Sequence, residues 1–201
     1  MKSLIPVQIK GHVTISDTKT GEVLVDKDNQ IHPKNMATAI ARGLSNTANY
    51  QIYKLKLGNQ GTYIDGSQQI VFRPPNTSGD TADLYNATYV EIVDDTDAGV
   101  DVGNSVTYTN IPASTNTRVI ITTIVSANQA INNPTDTGTP GQIEGADLYF
   151  FDELGLFTKE TSGSILDGAG ELMLSHLIFS PIEHTGNREL TIVYTLTISV
   201  S

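Results

Sequence analysis

The densest set of potential metal ligands is the run Asp94-Asp95-Thr96-Asp97-Ala98-Gly99-Val100-Asp101. Hard cations want oxygen ligands at alternate positions, and an EF-hand loop also needs Gly at its sixth position and Glu at its twelfth. Counted from Asp95, those positions hold Val100 and Val106. The pattern fails, and a solvated turn is the better reading, with a looser calcium or magnesium site as the alternative. Gly58-Asn59-Gln60-Gly61-Thr62 has two glycines of a phosphate cradle but neither the Gly-Lys-Ser/Thr ending nor a following helix, so it reads as a hairpin turn. His12, His32, His176 and His184 are scattered, without the spacing of a metal-binding helix; His176, in an apolar run, reads as a core or interface residue. Ser162 and Ser164 lack the strand–turn–helix setting of a nucleophile elbow. The 22 Asp and Glu residues offer carboxylate pairs of the glycosidase kind, but no motif singles one out. Asn76-Thr77-Ser78 and Asn86-Ala87-Thr88 match the glycosylation triplet by chance. The expectation is no catalytic residue, no cofactor and no metal.

Three tyrosines offer a different chemistry. Tyr63, Tyr85 and Tyr89 lie around a polar stretch rich in Asn and Asp, where an aromatic ring can stack on a sugar or anchor a protein interface. Burial in the core is the competing reading.

Composition narrows the partners. With a net charge of −10 and no Lys/Arg cluster, the chain repels phosphate backbones, so nucleic acid is not an expected partner. No run approaches the roughly 20 apolar residues of a membrane helix, and Met1-Lys2-Ser3-Leu4-Ile5-Pro6 lacks the apolar core of a signal peptide. Neither a membrane nor export is expected. There is no Cys, which excludes disulfides and Cys-ligated zinc or iron–sulfur sites. Stability must come from a core, from oligomerisation, or from both.

The elements that must position these residues are mostly strands. Residues 7–15 and 22–26 flank the turn Asp17-Thr18-Lys19-Thr20-Gly21 and read as a hairpin, ended by a second turn at Asp26-Lys27-Asp28-Asn29. A helix follows, with Pro33 at its first position and Met36, Ile40 and Leu44, beside Ala37 and Ala41, as the stripe that faces the sheet. Further strands are expected over 52–57, 70–72, 89–93, 106–108, 118–126, 146–151, 154–157 and 172–179, the last punctuated by Pro181. The strand at 118–126 is β-branched on both faces and belongs inside a sandwich. Residues 190–200 alternate apolar side chains with hydroxyls over eleven positions, the signature of a strand with one face on a core. Without repeated βαβ alternation, the fold class is mainly β: an antiparallel β-sandwich, jelly-roll-like, with one short α-helix near the N-terminus. It forms a single domain over 1–201, decorated by long loops at about 74–88 and 127–145.

Three segments carry a family resemblance. Phe151-Asp152-Glu153-Leu154-Gly155-Leu156-Phe157 is followed by 171–182, which ends Phe179-Ser180-Pro181-Ile182, and then by the alternating strand 190–198. With the helix 35–44 and the strand leading into Gly58-Asn59-Gln60-Gly61-Thr62, this resembles phage tail-collar fibre and related tail-associated virion proteins. Residues 63–145 have no counterpart in that pattern. Fibre members continue into long shafts, whereas this chain carries an extra hairpin over 7–26 and reads as a stand-alone module. The resemblance implies a non-enzymatic bacteriophage virion structural protein: a repeated tail, baseplate or collar subunit or fibre-attachment module, found in the virion after assembly in the host cytoplasm. Its partners would be other virion proteins and further copies of itself, in a homo-oligomer. The alternatives are a capsid decoration (cement) protein on the head, a receptor or carbohydrate-binding module that meets a host-surface glycan, and a particle-borne glycan hydrolase. In the motif, Glu153, Leu154, Gly155, Leu156, Phe157 and Pro181 read as architecture. The leucines and Phe151 would enter a core, Gly155 would admit a close backbone approach, and Glu153 would meet a backbone or Arg donor.

Overall fold

Hydroxyls on one side and Leu190, Ile192, Tyr194 and Leu196 buried on the other make residues 190–200 an interior strand of a ten-stranded antiparallel sheet. The computed structural model describes residues 6–79, 81–93, 103–127, 141–142, 150–162, 169–184 and 187–200. Along them run β1 (Val7–Asp17), β2 (Val23–Ile31), α1 (Pro33–Leu44), β3 (Ile52–Gly58), β4 (Thr62–Ile64), β5 (Ile70–Phe72) and β6 (Ala87–Ile92). Then follow β7 (Ser105–Asn110), β8 (Asn116–Val125), β9 (Gly141–Gln142), β10 (Phe150–Thr158), β11 (Met173–Glu183) and β12 (Leu190–Val200). The strand order is β7-β8-β12-β1-β2-β11-β10-β3-β6-β9, with β4 and β5 set apart as a two-stranded hairpin.

The fold is mainly β with one helix near the N-terminus, and the sandwich takes the form of one antiparallel sheet curled into a half-barrel. Its two halves meet at a narrow hinge, where Ile31 and Gln30 of β2 pair with Ser175 and His176 of β11. Val13, Ile15, Ile121 and Ile192 from one half close on Leu55, Leu57, Leu154 and Leu156 from the other. Each such side chain taken out of water contributes roughly 1.5–3 kcal/mol. Across the open side, Asn104 staples the halves: its amide donates to Glu91 (2.9 Å) and to the Ile92 carbonyl (2.7 Å), and its oxygen accepts from the Ile124 N–H (2.9 Å).

Several elements differ from the sequence reading, each for a physical reason. Asp26-Lys27-Asp28-Asn29 is the middle of β2, not a turn. Its polar side chains find partners in place: the aspartates in His12 of β1, Lys27 in the Ile178 carbonyl, and the Asn29 amide NH2 in the buried Tyr194 hydroxyl. Gly11, opposite Asn29, leaves the room that this side chain fills. The two strands expected around residue 152 are one, β10, with residues 146–149 outside the described residues.

Pro181 does not end its strand. The register passes from Phe151↔Ile182 to Glu153↔Ile178, so β11 spends two extra residues in a bulge that includes Pro181, where a missing N–H removes nothing from the ladder. The outer face of β8 is half-exposed, although the strand lies inside the sheet. The turn after β3 is not a hairpin turn, because both edges of β3 are taken by β10 and β6. The expected loop 74–88 gives its last two residues to β6, and residue 80 lies outside the described residues. Of the loop 127–145, residues 141–142 pair with β6, while 128–140 and 143–145 lie outside the described residues.

The helical stripe is also displaced. Asn35, Met36 and Ala39 face the sheet, while Ile40 and Leu44 are 40% and 86% exposed. Polar contacts set that rotation. The Asn35 amide donates to the Met173 carbonyl (3.0 Å), and His32 caps the helix by accepting from the Asn35 N–H.

Candidate functional site

The convergence of polar side chains in this molecule is centred on Asp152 and Glu153 of β10. Phe151 and Leu154 both enter the core although they stand three residues apart, so the strand's alternation slips between them. The slip directs both intervening carboxylates at the turn 59–62. Asp152 accepts from the N–H groups of Gly61 and Thr62 (2.8 Å each) and from the Thr62 hydroxyl (2.5 Å). Burial pushes its carboxyl above the usual range, opposed by those three donors. Glu153, fully buried, accepts from the N–H groups of Tyr85 (2.9 Å), Asn86 (2.8 Å) and Gln60 (3.4 Å). The two-glycine turn is therefore an anion cradle whose anions are the protein's own carboxylates.

His176 extends the clamp. Its Nδ1 accepts from the Asn76 N–H (2.8 Å), which leaves Nε2 to donate to Glu153 (3.1 Å). Three loop segments, at 60–62, 76 and 85–86, are thus bound to two neighbouring strands. Glycines make the approach feasible: a Cβ on Gly58 would stand 2.4 Å from the Asn86 carbonyl oxygen and 2.5 Å from Glu153 Oε1.

Below the same loops, Lys54 and Lys56 project from the outer face of β3 yet are buried. Lys54 Nζ lies 3.0 Å from Glu160 and 2.5 Å from Glu171. Lys56 pairs with Glu171 and sits 4.5 Å above the Phe157 ring. Period-two alternation reads such lysines as solvated, so sequence reasoning missed this network.

The motif residues divide by face. Leu154 and Leu156 enter the main core, while Phe157 joins Leu84 and Met173 in a smaller cluster outside the sheet. Gly155 is closely approached by side chains rather than backbone: a Cβ there would meet the Phe157 ring at 2.6 Å and Leu84 at 3.0 Å.

The three tyrosines separate. Tyr89 is fully buried in the core, donates to Glu91, and has its hydroxyl pKa pushed well up by burial. Tyr85 donates to the Pro74 carbonyl (2.7 Å), and Tyr63 is exposed on β4. The Arg73 guanidinium lies 5.0 Å from the Tyr85 ring and 5.5 Å from the Tyr63 ring, so these two share a surface that Tyr89 does not reach.

Other candidates resolve into structure. His32 caps α1, and His184 packs against Phe151 with ring centroids 5.6 Å apart. Ser162 forms a β-bridge with Ala169; Ser164 and the acidic run at 94–101 lie outside the described residues. The side-chain amides of Asn76 and Asn86 donate to the Asp83 carbonyl and to Asn59. Among the described residues, no group of three or more His, Cys, Asp or Glu is placed to hold a metal ion.

What the clamp presents is apolar. The β4–β5 hairpin, anchored through Gly61 and Thr62, exposes Ile64 (71%), Ile70 (52%), Tyr63 and Phe72. A second apolar surface is a groove of about 330 Å³ between α1 and the start of β1, lined by Val7, Ile9, Ile31, Met36, Ala37 and Ile40. Compared with family models, curated proteins and solved structures, the chain matches none.

Proposed function

We propose that this chain is a non-enzymatic structural subunit of a bacteriophage particle, a repeated tail, baseplate or collar component or fibre-attachment module that docks other virion proteins. One observation carries the reading: the buried carboxylates are saturated by the chain's own N–H groups, and the hairpin they hold turns apolar side chains to solvent. A carboxylate occupied in this way is poorly placed to move a proton for a substrate, whereas clustered exposed apolar side chains mark interaction sites. The assignment to a phage comes from the resemblance of residues 151–157, 171–182 and 190–198. Mass spectrometry of purified particles should find the chain in stoichiometric copies. Ile64→Lys with Ile70→Lys should leave folding intact and abolish incorporation; absence of the unaltered chain from particles would end the proposal.

A host-surface glycan is the second reading, favoured by the exposed Tyr63 ring beside Arg73. Glycan-array binding lost on Tyr63→Ala would select it.

A further inference from the structure

β7 closes one end of the ten-stranded sheet, with β8 on one side and, among the described residues, no strand on the other. Strand edges normally carry protection: a lysine, a proline, a bulge or a covering element. The β7 sequence, Ser105-Val106-Thr107-Tyr108-Thr109-Asn110, has no charge and no proline, and its pairing with β8 is unbroken over six residues. Tyr108 is 76% exposed.

The ladder shows which backbone groups are unused. The Ile111 N–H donates to the Asn116 carbonyl, and hydrogen-bonded pairs recur every second residue in an antiparallel ladder. Thr109, Thr107 and Ser105 therefore turn their amides to β8, and Asn110, Tyr108 and Val106 turn theirs away from it.

We propose that β7 is a self-association edge, on which two copies of this chain pair antiparallel about a two-fold axis through Tyr108. In that register the outward N–H and C=O of Tyr108 exchange reciprocal hydrogen bonds with the partner's Tyr108, and Val106 faces the partner's Asn110. Thr107 meets the partner's Thr109 on the opposite face, a favourable cross-strand pair. Charge selects a second copy as the occupant. The chain carries −10, so most approaches between copies set carboxylate against carboxylate, whereas this uncharged edge lets like meet like. A two-fold contact needs a self-complementary patch, and a strand whose outward donors and acceptors alternate about its centre is one. The pairing supplies the self-contact that the proposed subunit role calls for, and it rests on that role only for its purpose. Six residues make a small interface, so the dimer in solution depends on concentration.

The absence of cysteine makes the test specific. Tyr108→Cys should cross-link to a dimer under mild oxidation. Asn110→Cys should not, because its two copies stand four residues apart along the strand, about 14 Å. Sedimentation of the unaltered chain should show a dimer that grows with concentration. Tyr108→Pro removes an N–H that β8 does not use, so it should abolish the dimer while the melting transition stays; Tyr108→Lys should do the same without touching the backbone. A chain monomeric to millimolar concentration, or an Asn110→Cys variant that cross-links as readily as Tyr108→Cys, would overturn the proposal. Particle incorporation of the hairpin variants is read separately, so loss of this edge leaves the subunit role standing.

Discussion

Glu153 is the side chain on which most of the loop architecture depends. Its two oxygens face four donors, and glutamine in its place would turn an NH2 group towards N–H groups that are already buried. Removing an acceptor from such a cluster leaves desolvated donors without partners, so Glu153→Gln should lower stability by about 2–4 kcal/mol in urea unfolding. Amide exchange at Tyr85 and Asn86 should rise well beyond the global change. Two histidines make opposite statements about pH. Hydrogen bonds from His12 to Asp28 first and Asp26 second hold its pKa above the ordinary 6.5. A raised histidine contributes stability below its unfolded pKa and loses it as pH climbs through the folded one; on this exposed pair the contribution is small. Burial lowers the pKa of His184, so its contribution is complete above 6.5 and is lost as pH falls towards the folded value. Imidazole NMR should place His12 above and His184 below 6.5, with Asp28→Asn moving His12 down. Urea unfolding at pH 7 and 5.5 should show an acid loss that His184→Gln reduces.

At the scale of elements, β10 joins the core to the loops, and Gly155 sets the spacing between them. Gly155→Val would drive methyls into the Phe157 ring and Leu84, an overpacking expected to cost about 2–3 kcal/mol in thermal or urea unfolding. Unchanged folding and assembly in that variant would count against the motif as architecture. This strand also shows what a sequence reveals and what it conceals. β12 was legible because its alternation maps onto one buried face, and β8 because of its β-branched run, although only one of its faces is buried. β10 was read as two strands because Asp152 and Glu153 look like a break, and their burial is licensed by residues 60–86, distant in sequence. The same distance hid the burial of Lys54 and Lys56. The polar run in β2 misled in the same way: Asp26 and Asp28 read as a turn until His12 is placed opposite. The helical stripe failed because Asn35, a polar residue, makes the contact with β11 that sets the rotation.

For the whole molecule, the curl of the sheet is held at its open side by Asn104. Three of its hydrogen bonds tie β6 to β8, near opposite ends of the strand order. Asn104→Ala would leave the Ile124 N–H and the Ile92 carbonyl without that partner, at an expected cost of about 2–4 kcal/mol. The loss should appear as a lower urea midpoint together with a larger scattering radius, because the halves would part as well as weaken. The pairing of β1 with β12 sets Val7 against Val200, and it carries a consequence for biogenesis. Residues 190–200 are synthesised well after both of their neighbours, so at roughly 5–20 residues per second β1 waits about 9–35 s and β8 about 3–13 s before the strand that separates them exists. A nascent chain of this topology carries two open β-flanks until that moment, and slow, non-local closure of this kind favours dependence on chaperones.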